Sequence, residues 1–299
     1  MTRKFLMGII ILLIITNLTT VAVWMNDRNN SGEMKRLDNE NKQDIVALIG
    51  KNKITYQSWQ TELEKNYGEK VLKELIDREV VANLAEQENI EVSDKLIDRE
   101  ISLLFTMQGI LNEEEETNME QTWRNEITHR YQLEELLTKD INITETEIRE
   151  YYDNYKNQYE FKESIQVSHI LVDDRDTAEK VYDELESGAN FASLAREYSI
   201  EEQATREGGY LGYYTRESEF LPDEYYTIAV ELDEDSYSKP FLGGSGVAIV
   251  YLHRLLPTIN FTYDELKPQI RRELALEKVD STVSADMLWD NFDIEWIYE

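Results

Sequence analysis

The sequence predicts an α+β protein: a small antiparallel sheet with surrounding helices, inserted between segments of a mostly helical domain, behind one N-terminal transmembrane helix. Three observations predict it. Residues 5–25 carry no charge, a length that lets a helix cross a bilayer. Apolar residues then recur at three- and four-residue spacing through most of residues 44–163. Across residues 164–256 the pattern changes to strand, two helices, loop, helix, strand, and helical spacing returns after it.

The chain has 299 residues, 41% of them hydrophobic, enough for a substantial core and more than one domain. Its 31 basic residues face 61 acidic ones, a formal net charge of -30. Such a charge repels a phosphate backbone, so nucleic acid is not an expected partner. There is no cysteine, which excludes a disulfide framework, a thiolate metal site and a lipid-modified N-terminal cysteine. The run Glu113-Glu114-Glu115-Glu116 lacks the spaced oxygen ligands and turn glycine of a calcium loop and reads as solvated surface. No metal and no cofactor is expected.

Arg3 and Lys4 precede the apolar stretch and a long acidic chain follows it. The positive-inside rule then puts the N-terminus in the cytoplasm and everything from Asn26 onward outside, as a single-pass protein of the cell membrane. Thr16, Asn17, Thr19 and Thr20 lie in the second half of the span, where hydroxyls bond back to the helix. A cleaved signal peptide is the competing reading, because Thr20-Val21-Ala22 offers small residues for a cut; the length favours an uncleaved anchor over 1–25. Residues 26–43 are polar and aperiodic, as a tether is.

Folding resumes in 44–163. Ile45–Ile49 has the run of a strand, Gly50 to Lys53 reads as a turn, and Thr55 or Ser58 caps the next helix. Val71, Leu72, Leu75, Ile76, Val80 and Leu84 make one helical face. Ser93 caps a helix over 94–107 with Leu96, Ile97, Ile101, Leu104 and Phe105 inward, and another covers 119–137. Thr144 and Glu147 have capping-box spacing and open a helix whose Tyr151, Tyr152, Tyr155 and Tyr159 form a packing stripe. In 257–299, Thr262 and Glu265 form a second capping box, and 266–288 reads as helix with Pro268 tolerated in its first turns. The alternation of 292–298 predicts a last strand paired with Ile45–Ile49. The flanks are thus expected to co-fold into one helical domain, with the 164–256 module attached as a satellite.

The module opens on the strand Ser164–Val172, where Ile165, Val167, His169 and Leu171 share a face. A histidine on an apolar face is either a satisfied core residue or a functional one. Asp174 or Asp176 starts a helix closed by Gly188, Asn190 caps 191–198, and 199–207 is a polar loop. Pro222 begins a helix to Leu232, and 247–252 is a closing strand. Five motifs carry a resemblance: Ser168-His169-Ile170-Leu171-Val172, Gly188-Ala189-Asn190-Phe191-Ala192-Ser193-Leu194-Ala195, Tyr198-Ser199, Gly208-Gly209-Tyr210-Leu211-Gly212 and Ser238-Lys239-Pro240. Together they resemble the parvulin family of peptidyl-prolyl isomerases, specifically extracytoplasmic foldases of the PrsA and SurA type. Ala47-Leu48-Ile49-Gly50 with Ile54-Thr55 is similar to the N-terminal chaperone region of those foldases.

The resemblance implies catalysis of rotation about the C–N bond before proline, with a barrier of roughly 18–20 kcal/mol, by tighter binding of the twisted imide. It implies no cofactor, and as partners the unfolded or newly secreted polypeptides that contain X-Pro bonds; a homodimer is compatible with it. Carried over, His169 and Glu201 form the catalytic polar cluster, Glu201 standing where the family has Asp or Cys. Leu211, Phe220 or Leu221, and Tyr225 line the prolyl slot, and Ser245 is retained beside it. The chain also departs from the family. A second histidine in a Gly-x-His-Ile-Ile sequence is replaced in Gly246-Val247-Ala248-Ile249-Val250, and a frequent threonine is Gly243. His253 lies an odd number of residues from Ala248 and so on the opposite face. His169 is therefore expected to lack its usual partners, at a cost on the order of 10²–10³ in rate. Two other functions fit: a catalytically silent holdase that presents apolar clefts to unfolded chains, and a wall-associated scaffold.

Overall fold

The computed structural model describes residues 45–279 and 284–298. The chain divides into two compact units, one of residues up to Leu75 together with those from Trp296 on, the other of Ile76–Glu295. The expected anchor and tether lie outside the described residues, and among the described residues no helix is long and apolar enough to cross a membrane.

In the first unit, β1 (Ile45–Ile49) and β2 (Asn52–Thr55) form an antiparallel hairpin. Helix α1 (Tyr56–Leu63) is capped by Thr55, whose hydroxyl accepts from the Ser58 backbone N–H while the Ser58 hydroxyl accepts from the Thr55 N–H. Of the two candidate caps, one is the cap and the other its box partner. A π-helical stretch, Glu64–Gly68, leads into α2 (Glu69–Gln87). The expected last strand is not formed: residues 293–296 have no strand assignment, and the partner of β1 is β2. A tight turn supplies a neighbouring partner at far lower loop-closure cost than a segment from the other end of the chain.

The second unit opens with α3 (Asp94–Phe105), α4 (Glu113–Thr138) and α5 (Glu145–Tyr155). Helix α4 begins six residues before the expected 119, because Asn112 caps it in a box with Glu115. The four glutamates are its first turn, where the helix dipole favours negative charge; they are more than a solvated run. The sheet module follows as β3 (Ser164–Val172), α6 (Arg175–Glu186), α7 (Phe191–Tyr198), α8 (Glu202–Glu207), β4 (Tyr210–Thr215), α9 (Asp223–Ala229), β5 (Ser236–Tyr237), β6 (Phe241–Gly243) and β7 (Gly246–Leu256). Asp174 is the cap of α6 and Asn190 of α7. The polar loop after α7 contains the short α8, and α9 stops three residues before Leu232. Last comes α10 (Tyr263–Leu276), with the Thr262 and Glu265 capping box in place and a 3-10 turn, Ala285–Asn291, where a continued helix is expected.

The sheet is antiparallel throughout, in the order β4-β3-β7-β5 with β6 also on β7. All nine residues of β3 are buried. One face, with Ile165, Val167 and Leu171, packs on Leu221 and Tyr225 from the α9 side. The other, with Ile170 and Val172, packs on Val181 of α6 and Leu194 of α7. Its buried polar side chains are paired, as burial requires: Gln166 Nε2 donates to Gly109 O at 3.1 Å and to Tyr210 Oη at 3.0 Å.

The segments before and after the sheet share one core. Leu266 and Ile270 of α10 lie with Ile97 and Ile101 of α3, Ile127 and Tyr131 of α4, and Ile148 of α5. Phe161 and Ile259 exchange both backbone hydrogen bonds at 2.9 Å where the chain enters and leaves the module. The module is not a satellite. Phe161 and Leu256 belong to that same core, Arg254 pairs with Glu116, and the Arg254 guanidinium lies 4.1 Å from the centre of the Phe105 ring. Truncating Ile270 to alanine removes a fully buried side chain from this junction and is expected to cost about 2–5 kcal/mol in urea unfolding. A loss under about 0.5 kcal/mol would show that α10 is not part of the core.

Candidate active site

Two β-bulges shape the sheet around His169. Val167 pairs with Gly212 and Ser168 with Tyr210, which leaves Leu211 unpaired in β4; Gln166 pairs with Arg254 and Val167 with Leu252, which leaves His253 unpaired in β7. A bulge re-aims the extra side chain. Leu211 lines a pocket on the α9 side. His253 faces the other way, with Nε2 2.7 Å from Ser168 Oγ, as its odd spacing from Ala248 predicts.

Residues 199–209 are tied to the end of β3 by three hydrogen bonds. The Ile200 N–H donates to Leu171 O at 2.8 Å, the Leu171 N–H to Ser199 Oγ at 3.3 Å, and the His169 N–H to Gly209 O at 2.8 Å. Gly209 has φ +88°, and a Cβ there would sit 2.4 Å from His169 O, so both the conformation and the close approach demand glycine. These ties hold Glu201 over the imidazole. Opposite, α9 is anchored by the Tyr226 hydroxyl, which donates to Glu163 Oε1 at 3.0 Å, and Tyr225 on the same helix turns in towards His169.

Between them lies a pocket of about 490 Å³, a size ordinary for small-molecule and peptide side-chain sites. His169, Glu201, Leu211, Phe220, Leu221, Tyr225 and Ser245 all line it. Phe220 is 89% exposed at its rim, Leu221 is buried, and Ser245 sits in the turn between β6 and β7. Sequence reasoning missed Ile200, Tyr210 and Tyr214, which also line it. The tight Gly208-Gly209 path was the available signal for the two tyrosines, since it fixes the strand that carries them.

His169 is only 3% exposed. Its Nδ1 lies 3.0 Å from Tyr225 Oη. Its Nε2 lies 2.9 Å from Glu201 Oε2 without the alignment of a hydrogen bond, so that contact is a close electrostatic approach. Burial pushes the His169 pKa down, against the opposing pull of the Glu201 charge, and burial wins. Burial first, and then the Glu201 charge, pushes the Tyr225 phenol up, so it keeps its proton as a donor. The usual partners are absent, since positions 248 and 243 hold alanine and glycine, and the hydroxyl of Tyr225, a residue read only as slot lining, supplies a different one.

A sequence profile of the PPIC-type PPIase domain matches residues 143–268. The protein named "Putative peptidyl-prolyl cis-trans isomerase YacD" of Bacillus subtilis is 34% identical over 254 residues, covering 85% of this chain and 85% of its own. The chain belongs to the parvulin-type peptidyl-prolyl isomerases. Foldase protein PrsA of Geobacillus kaustophilus is 31% identical to this parvulin over 246 residues, 81% of each chain. The crystal structure of PrsA from Bacillus subtilis aligns with 87% of it and 96% of the PrsA chain, at 24% identity and a TM-score of 0.33. Among its described residues no group of three or more histidine and acidic side chains is arranged to hold a metal ion.

The histidines of this parvulin tie its stability to pH. Burial pushes the His253 pKa from an ordinary 6.5 down to about 4, and burial is also the leading cause of lowered values at His169 and His129. A folded pKa below the unfolded one means the unfolded chain binds more protons, so the stabilisation is complete above 6.5 and is lost as pH falls towards 4. The depressed carboxylates Glu147 and Glu265, each at about 2, begin to matter only below about 4.5. Glu134, pushed up by burial, works in the opposite direction. Urea unfolding between pH 7 and 4.5 is therefore expected to show a decline that flattens in His253→Asn, by up to about 1.4 kcal/mol per pH unit. An unchanged slope in the variant would remove His253 from this role.

Proposed function

We propose that this parvulin is a membrane-anchored peptidyl-prolyl cis-trans isomerase that assists the folding of secreted polypeptides outside the membrane. In this reading His169 and Glu201 form its polar pair, and Leu211, Phe220, Leu221, Tyr225 and Ser245 grip the X-Pro segment. The observation that carries it is the convergence of these seven residues, from widely separated parts of the sequence, on one pocket. The uncharged stretch over 5–25 behind Arg3 and Lys4 supports the anchored orientation.

The reaction breaks no bond. In the planar imide the nitrogen lone pair is shared with the carbonyl, which separates charge and gives the C–N bond its barrier of roughly 18–20 kcal/mol. An apolar slot walled by Leu211, Leu221 and the Tyr225 ring disfavours that charge separation relative to the twisted form. As conjugation is lost the carbonyl carbon becomes more electrophilic, and a fixed negative charge beside it stabilises the twisted state. Glu201, with its side chain 48% exposed above a buried His169, is the group able to reach the bound peptide. His169 acts from beneath by holding that carboxylate in place.

A second reading, a holdase without catalysis, is favoured by the exposed apolar residues Leu48, Ile49, Trp59, Tyr67, Val71 and Leu75 in the first unit. The two separate in one set of measurements on the full chain. Isomerisation of an X-Pro peptide is expected to run well above background, to fall about 10–10²-fold in Glu201→Gln and in His169→Ala, and to show a raised KM in Leu211→Ala. A folded sample that gives no rate above background at high concentration rules out the isomerase. Suppressed aggregation of an unfolded, proline-poor client by that same sample then supports the holdase, and its absence leaves only a scaffold.

A further inference from the structure

The pocket wall at Tyr225 carries a hydroxyl for which an apolar wall has no use. Its ring is 3% exposed, sits edge-on to Phe241 at 5.2 Å between centres, and is tilted 50° to the imidazole of His169. The space it fills exists because two neighbours are small. A Cβ on Gly243 would stand 2.8 Å from Tyr225 Cε2, 3.1 Å from its Oη and 2.8 Å from the Cβ of Ala248. Gly243 does not have the positive φ that would call for glycine, so what it contributes is room. Ala248 adds only a methyl to the same wall.

A neutral imidazole has one donor and one acceptor. With Nε2 2.9 Å from the Glu201 carboxylate, a lone pair on that nitrogen would face a negative oxygen in a buried setting, whereas a proton there is attracted to it. Nδ1 is then the acceptor, and the group placed to donate to it is the Tyr225 hydroxyl at 3.0 Å.

We infer that Tyr225 is a positioning residue for this isomerase: its hydroxyl donates to His169 Nδ1 and thereby directs the ring proton to Nε2 and Glu201, in a space opened by Gly243 and Ala248. The inference rests on the isomerase reading for its effect on rate, but the hydrogen bond and tautomer stand apart from it. Without the hydroxyl, either nitrogen can carry the proton, and the carboxylate loses the fixed N–H dipole beneath it. The tyrosine, the glycine and the alanine act as a set: a larger residue at 243 or 248 displaces the phenol.

Tyr225→Phe keeps the ring and removes only the donor. Its kcat is expected to fall about tenfold or more, the worth of one hydrogen bond of roughly 1.4 kcal/mol, with KM little changed. Ring ¹⁵N NMR of His169 in the full chain is expected to show a protonated Nε2 and a hydrogen-bonded, unprotonated Nδ1, and to lose that clear preference in Tyr225→Phe. Gly243→Ala, which pushes the phenol aside without removing it, is expected to move both readouts the same way, and it decides the matter if Tyr225→Phe does not fold. Wild-type kcat and unchanged His169 shifts in Tyr225→Phe overturn the inference, as does a protonated Nδ1 in the wild type. If the wild type has no isomerase activity the functional reading fails on its own, and the ¹⁵N pattern still decides the tautomer.

Discussion

The imidazole of His169 lies in the middle of a strand covered on both faces, and a ring nitrogen buried without a partner costs on the order of 1–3 kcal/mol. That constraint links the parts of the sheet module. The segment 199–209 must be tied to β3 closely enough to bring Glu201 over Nε2, which requires glycine at 209. On the other side α9 must sit close enough for the Tyr225 hydroxyl to reach Nδ1, which requires small residues at 243 and 248. The pocket is the gap left between these two supports, so the residues that flank the histidine also wall the pocket.

The supports stand on a module that is held at its base. Phe161 and Ile259 bridge its two ends, Leu256 runs into the helical core, and Gln166 and Tyr210 reach the backbone of the 108–109 loop. The bulge that leaves Leu211 unpaired is therefore a local departure in an otherwise pinned sheet, which fits the need to place one apolar side chain in the slot without disturbing β3. The first unit has a different character, with a short hairpin and apolar residues left in solvent. A surface of that kind suits loose contact with extended chains better than a shaped site does.

Much of this was legible in the sequence. The capping boxes at Thr144 and Thr262 form as their spacing predicts, because each depends on residues three apart. The alternation of Ser164–Val172 correctly assigns Ile165, Val167 and Leu171 to one face and Ile170 and Val172 to the other. Where the sequence misled, the deciding force was not local. The alternating residues near the C-terminus have the pattern of a strand, but alternation names no partner, and β1 pairs with β2 across a tight turn. The start of α4 was missed because the mostly exposed acidic run hides the cap at Asn112. The change at Ala248 was visible as a loss, whereas its compensation lies on another element. Tyr225 and Gly243 belong to α9 and β6, and only the folded chain brings them together over His169.

In the proposed function this pocket binds an X-Pro segment and eases its rotation. Two-dimensional exchange NMR of an isotope-labelled X-Pro peptide at equilibrium, with the full chain present at a few per cent of its concentration, tests binding and rotation together. Exchange cross-peaks between the cis and trans signals are expected at mixing times too short for the free peptide, with shifts in the protein gathered at Leu211, Tyr214, Leu221 and Ser245. Peptide binding at those residues with no added exchange, or exchange that survives when the pocket is blocked at Leu211, would contradict it.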